Sequence, residues 1–194
     1  MKLYYSPGAC SLADHIALHE AGMPFDHEKV DLKTKQTASG ADFLAVNPKG
    51  YVPALTLDTG ETLTENIAIL DWISHQDAAL KPGGAMGHTH LLEALAFIST
   101  EIHKSFKPFF AGGSDEEKAK AGAVITKRLN TIADMMQGDY LFGAAVSVAD
   151  CYLFVMLLWA AKNGVETPPS LEAFRDRMMA RQSVKTAMHH EGLA

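Results

Sequence analysis

Residues 147 to 161, SVADCYLFVMLLWAA, are apolar nearly all the way round a helical projection. A helix without a polar stripe has no side to turn toward water, so this segment belongs in the middle of a bundle, with other elements on every flank. No uninterrupted apolar stretch in the chain approaches the roughly 18 residues that suggest a membrane span. Ser147-x-x-Asp150 opens the segment as a capping box, and Val146 is placed to staple against Cys151 across the helix start. The neighbours that such a helix needs are legible on both sides of it. Leu91, Leu95, Ile98, Ile102 and Phe106 recur every three or four residues and predict one long helix from His88 to about Lys107, ended by Pro108. Ile125, Leu129, Ile132 and Met136 predict a second, between an acidic start at Asp115 to Glu117 and Gly138. Two shorter helices near residues 170 to 181 and 183 to 191 complete an all-helical second half.

The first 80 residues have a different texture. Lys2 to Ser6 reads as a strand closed by Pro7-Gly8, and Ser11 with Asp14 can cap a following helix that stops at Gly22. Phe25 to Leu32 reads as a second strand and Ala41 to Val46 as a brief helix. Val52 to Leu57 and Glu61 to Thr64 read as a hairpin, and residues 66 to 77 as a helix. The order is βαβαββα. Lys81-Pro82-Gly83-Gly84 is a linker signal, so the chain divides into an α/β unit over residues 1–80 and an all-α unit over 87–194.

A net charge of -6 and a pI near 5.8, with no cluster of Lys and Arg among aromatics, exclude nucleic acid and anionic membrane as expected partners. No leader pattern is visible, so a cytoplasmic location is expected. The two cysteines, Cys10 and Cys151, do not make a disulfide framework and are read as reduced.

Three stretches can carry chemistry. Cys10 precedes a helix start, where free N–H groups and the dipole favour a thiolate; an inert cysteine filling a corner is about equally supported by the residues alone. Residue 13 is Ala, which removes the C-x-x-C pair of a dithiol oxidoreductase. In GYVPALTL, Pro53 belongs at a strand start or edge, leaving the backbone of Val52 free for an extended ligand. Glu65 and Asn66 open a helix, able to hold a ligand carboxylate and an amine, though an N-cap acid explains them as simply. His15 and His19 stand four apart, but no carboxylate or cysteine array completes them, and no metal site is expected.

Taken in chain order, YSPGACSLA (5 to 13), VNPKGYVPAL (46 to 55), TENIAI (64 to 69), TEIHKSFKPFF (100 to 110) and SVADCYLF (147 to 154) resemble the glutathione S-transferase family, and within it the bacterial beta class. The resemblance implies a thioredoxin-like first domain that binds glutathione, an all-α helical-bundle second domain, and a cytoplasmic homodimer that detoxifies small hydrophobic electrophiles. It further implies a cis Val52-Pro53 bond, with Val52 pairing its backbone with the cysteinyl unit of glutathione. Lys35 would meet the glycyl carboxylate, Glu65 and Asn66 the γ-glutamyl end. Cys10 would lie beside the glutathione sulfur, faced by His103 and Lys104 from the second domain. Phe106, Phe109, Phe110 and Trp159 are candidate walls for the apolar substrate. Asn66 stands where serine or glycine is commoner, and Ala96 where relatives often carry an asparagine that touches glutathione across the dimer. The reaction implied first is conjugation of the glutathione thiolate. The alternatives are disulfide or peroxide reduction through a Cys10 mixed disulfide, and non-catalytic binding of hydrophobic ligands.

Overall fold

β1 (Lys2–Tyr5) is the central strand of a five-stranded mixed sheet in a computed structural model that describes all of residues 1–194. It runs parallel to β2 (Asp26–Asp31), pairing Leu3 with His27, and the parallel connection is made by α1 (Leu12–Glu20). On its other side β1 is antiparallel to β4 (Ala54–Thr56), which forms a hairpin with β5 (Thr62–Thr64). The two-residue β3 (Gln36–Thr37) lies outside β2, giving the order β3-β2-β1-β4-β5. α2 (Asn66–Gln76) closes this thioredoxin-like half.

Three local expectations change here. Ser11 is already helical, with φ -56° and ψ -19°, and makes no capping bond. Its hydroxyl accepts from the Ser6 amide at 3.2 Å and reaches the Ser6 carbonyl at 3.4 Å, fastening the ends of the Pro7–Cys10 loop together. The brief helix at 41–46 is a single 3₁₀ turn over Phe43–Ala45, capped by Asp42 accepting from Leu44 N at 2.9 Å. β3 falls in a stretch whose polar composition carries no strand signal.

The second half is helical throughout. α3 (Gly87–Phe97) gives way to a wide π turn over Ile98–Ile102 and a tight 3₁₀ turn over His103–Phe106, and α4 (Lys107–Phe110) follows directly. The predicted single helix over 88–107 is therefore one rod with three windings, and Pro108 does not end it. Proline is tolerated in the first turn of a helix, where its missing N–H has no intrahelical acceptor to lose. α5 (Asp115–Met135), α6 (Val148–Lys162), α7 (Pro169–Ala180) and α8 (Gln182–His190) follow.

α6 is buried from Val148 to Leu157 without a break, against α1 and α2 from the first half and α3 and α7 from the second. The Ser147–Asp150 capping box forms as the sequence predicts: Asp150 Oδ2 accepts from Ser147 N at 2.7 Å and from its hydroxyl at 2.6 Å. Oδ1 also takes the Leu141 amide at 2.9 Å, which ties the loop before α6 to the helix start. One apolar core runs unbroken from Leu3 and Ile16 through Ile102 and Phe154 to Val184, so both halves share it. A smaller cluster of Val30, Phe43, Val52 and Ala54 backs the segment that carries Val52.

Candidate active site

Two cavities meet at Cys10, Val52 and His103, all three of which line both. One, of about 1060 Å³, has polar and charged residues in its lining, Glu65, Asn66, Ser99 and Lys104 among them, and we refer to it as the polar cavity for these groups. The other, of about 550 Å³, is mostly apolar and is walled by Phe110, Leu158 and Trp159. Each shared residue owes its place to a different part of the fold. Cys10 ends the Pro7–Cys10 loop and its carbonyl accepts from Ala13 N at 3.0 Å, so the first helical turn begins at the cysteine itself. Val52 precedes a cis bond to Pro53 and offers its carbonyl to the Cys10 thiol at 3.8 Å. His103 follows the π turn, an irregular winding common at functional positions.

The Cys10 loop is held from the second half. Gly8, at φ +68°, donates its amide to Glu191 Oε2 at 2.9 Å and its carbonyl accepts from Trp159 Nε1 at 2.8 Å. A side chain at Gly8 would also be strained by that positive φ. Burial pushes the Cys10 thiol up to about 12, with the nearby Asp14 and Glu65 carboxyls adding to the effect. The amides of Cys10 and Ser11 pull the other way, as the helix-start argument requires, but burial outweighs them. Of the two readings that the residues leave open for Cys10, the raised thiol favours the less reactive one.

His103 Nδ1 lies 2.6 Å from the Tyr152 hydroxyl, and its ring packs edge-on against Trp159 at 4.9 Å. Burial, with the neighbouring Lys104 charge, lowers His103 to about 4, so its imidazole is neutral at physiological pH. Burial raises the Tyr152 hydroxyl, which keeps its proton.

Glu65 adopts φ +75° at the head of α2, a strained conformation for a residue with a side chain. It is not a simple N-cap acid. Its Oε1 accepts from Lys49 Nζ at 2.5 Å and from the Tyr51 hydroxyl at 2.7 Å, and these partners hold its carboxyl below the usual range. Asn66 is buried; with its amide nitrogen facing inward it donates to Asp14 Oδ2 at 2.6 Å and to the Cys10 carbonyl at 3.2 Å. The Asn66 side chain therefore braces the cysteine turn from within. Lys35, at φ +59°, donates to the Gly50 carbonyl at 2.6 Å and borders neither cavity.

The expected apolar wall is composed differently. Phe110, 55% exposed, and Trp159 line the apolar cavity, while Phe106 is 0% exposed and supports both from behind at ring distances of 6.1 and 5.5 Å. Phe109 faces a separate cavity beside Gly122 and Val165. Phe106 continues the buried stripe of Ile98 and Ile102, so it belongs to the core that backs the cavity rather than to the wall itself. Sequence reasoning did not single out Lys49, Tyr51, Ser99 or Tyr152. Lys49 and Tyr51 stand inside VNPKGYVPAL, and the Tyr152 hydroxyl is a polar tip in an otherwise apolar segment, which was the available signal.

Two family models match the chain: "Glutathione S-transferase, N-terminal domain" over residues 9–76 and "Glutathione S-transferase, C-terminal domain" over residues 100–190. Glutathione S-transferase GstA of Escherichia coli is 40% identical over the full length of both chains. A bacterial beta class glutathione S-transferase of Sphingomonas chungbukensis superposes with a TM-score of 0.92 at 48% identity, covering all of both chains. A sphingomonad glutathione S-transferase solved in complex with glutathione gives 0.92 at 49% identity, again over all of both. Sequence, fold and the paired cavities agree, and the chain belongs to the glutathione S-transferase family.

Proposed function

We propose that the protein conjugates glutathione to small hydrophobic electrophiles, with glutathione in the polar cavity and the electrophile in the apolar one. The observation that carries this reading is the shared boundary of the two cavities at Cys10, Val52 and His103. A sulfur placed there touches both compartments, and holding two reactants at one junction is a large part of what such a reaction needs. In the reaction the glutathione thiol gives its proton to solvent, its sulfur forms a bond to an electrophilic carbon, and the leaving group takes the bonding pair of the bond that breaks.

Residues 1–80 supply the glutathione groove in this reading and residues 87–194 the electrophile wall. Val52 offers backbone groups to the cysteinyl unit. Glu65 accepts the γ-glutamyl ammonium beside Lys49, and the leading amides of α2 receive its carboxylate. Lys35 borders neither cavity and would reach a glycyl carboxylate only by releasing the Gly50 carbonyl. His103, with Nδ1 accepting from Tyr152, presents an Nε2–H donor to the thiolate, and Lys104 adds positive charge at the same mouth. Catalysis is completed in a cytoplasmic homodimer; Ala96 is exposed on α3 and supplies no side-chain donor across it.

Thiol-disulfide chemistry through Cys10 is the less supported reading. Burial raises the Cys10 thiol and so disfavours the thiolate that such chemistry needs, and with Cys151 fully buried any mixed disulfide must be resolved by an external thiol. Capture on immobilised glutathione followed by a rate assay with a halogenated aromatic tests the proposal. Specific elution by free glutathione and steady turnover are expected; failure of both would remove the site assignment.

A further inference from the structure

Four of the nine histidines gather where α1, β2 and the end of α8 meet, away from both active-site cavities. His15 and His19 stack one turn apart on α1 at 5.4 Å between ring centroids, and His27 of β2 stacks on His190 of α8 at 4.5 Å. The ligand nitrogens of His15, His27 and His190 all lie within 4.8 Å of one another. A cavity of about 550 Å³ opens beside them, and none of its lining residues borders the active site.

Three details distinguish this cluster from ordinary aromatic packing. His15 Nε2 and His190 Nδ1 face each other at 3.4 Å. That is long for a hydrogen bond, whose usual N–H···acceptor length is about 2.9–3.0 Å. It matches the edge of a tetrahedron of nitrogens around zinc, roughly 3.3–3.4 Å for Zn–N bonds of about 2.0–2.1 Å. Behind it, His15 Nδ1 is 3.0 Å from Glu191 Oε1, both side chains being fully buried. When His15 Nδ1–H donates to this Glu191 oxygen, the Nε2 lone pair points outward, the arrangement that typically orients a metal-bound histidine. Finally, His19 Nε2 is buried with no hydrogen-bond partner, leaving a spare imidazole nitrogen at the edge of the group.

We infer that His15, His27 and His190 form a binding site for one divalent transition-metal cation of the zinc class, with Glu191 orienting His15 and the remaining coordination position open to the cavity. An all-imidazole donor set suits Zn²⁺, Ni²⁺ or Cu²⁺ and does not suit Mg²⁺ or Ca²⁺, which take oxygen. The site is structural: it joins α1 and β2 of the first half to α8 of the second, through the same Glu191 that holds Gly8. The sequence expectation of no metal changes because the missing carboxylate and third imidazole come from the far end of the chain, 176 and 175 residues beyond His15.

The test uses full-length protein without an affinity tag, stripped with chelator and titrated with Zn²⁺ by calorimetry and with Co²⁺ by visible absorption. One tight equivalent and the absorption of a nitrogen-ligated tetrahedral Co²⁺ are expected, with no response to Mg²⁺. His27→Ala and His190→Ala remove exposed side chains, so the variants fold. Each should weaken binding by at least about tenfold, since even outer-shell losses cost that much. His88→Ala is the control, because Asp71, His75 and His88 form a second, more exposed group with ligand atoms within the same 4.8 Å; it should bind like the parent. Absence of stoichiometric binding overturns the inference, as does affinity that survives both His27→Ala and His190→Ala or that disappears in His88→Ala.

Discussion

Alkylation of Cys10 in the absence of glutathione tests the electrostatics of the site directly. Burial pushes the Cys10 thiol up to about 12 from an ordinary 9.0, which disfavours the thiolate in this surrounding by about 4 kcal/mol. At pH 7.5 the thiolate fraction then falls from about one in 30 to about one in 30,000, a thousandfold difference, and the thiolate is the species that reacts. Iodoacetamide modification followed by intact mass should therefore proceed about a thousandfold more slowly at Cys10 than at a small reference thiol. Its logarithm should rise with a slope of one per pH unit from 7 to 10, without levelling off. Cys151 does not obscure the readout, because it is fully buried and reacts only on unfolding. A plateau below pH 9, or a rate within tenfold of the reference thiol at pH 7.5, would refute the argument. It would also restore Cys10 as a candidate nucleophile.

The neutral His103 and its short contact to Tyr152 give a second test: Tyr152→Phe leaves a partly buried nitrogen unpaired, at about 1–2 kcal/mol, so kcat/KM for conjugation should fall roughly 5- to 30-fold. Because His103 titrates at about 4, it is neutral above that pH and charged only below it. The parent kcat/KM profile should accordingly show no histidine inflection near 6.5 when scanned from pH 5 to 8. Phe106→Ala should destabilise the fold by about 3–5 kcal/mol in urea titrations, whereas the half-exposed Phe110→Ala should leave the midpoint nearly unchanged and raise KM for an aromatic electrophile. Asp150→Ala removes the acceptor for Ser147 and Leu141; a loss of about 2–3 kcal/mol in urea unfolding is expected, and an unchanged midpoint would show that the box is dispensable.

What the sequence made legible was local. The all-round apolar α6 and its Ser147–Asp150 box depend on residues within a few positions of one another, and both appear in the structure as read. What escaped depends on distant partners. Ser11 looks like a cap because of Asp14, yet its hydroxyl is drawn to Ser6 by the return of the loop. Phe106 and Phe110 carry the same side chain, and the periodicity that marks Phe106 as core does not say that Phe110, one turn on, is left beside a cavity, since that depends on what the neighbouring elements leave uncovered. Glu65 is paired by Lys49 and Tyr51 across the β4–β5 hairpin, and the histidines of α1 find theirs at the opposite terminus. No periodicity encodes such meetings, because they arise from the tertiary path of the chain.

Gly8 is grasped on its amide side by Glu191 and on its carbonyl side by Trp159. The segment that presents Cys10 is therefore completed by residues of the second half, and the α/β unit alone would keep the Ser6–Ser11 fastening but lose both bonds on Gly8. Chimaeras that graft the helical portion of one relative onto the front portion of another should inherit their cysteine geometry from the graft. The two portions are coupled parts rather than interchangeable ones.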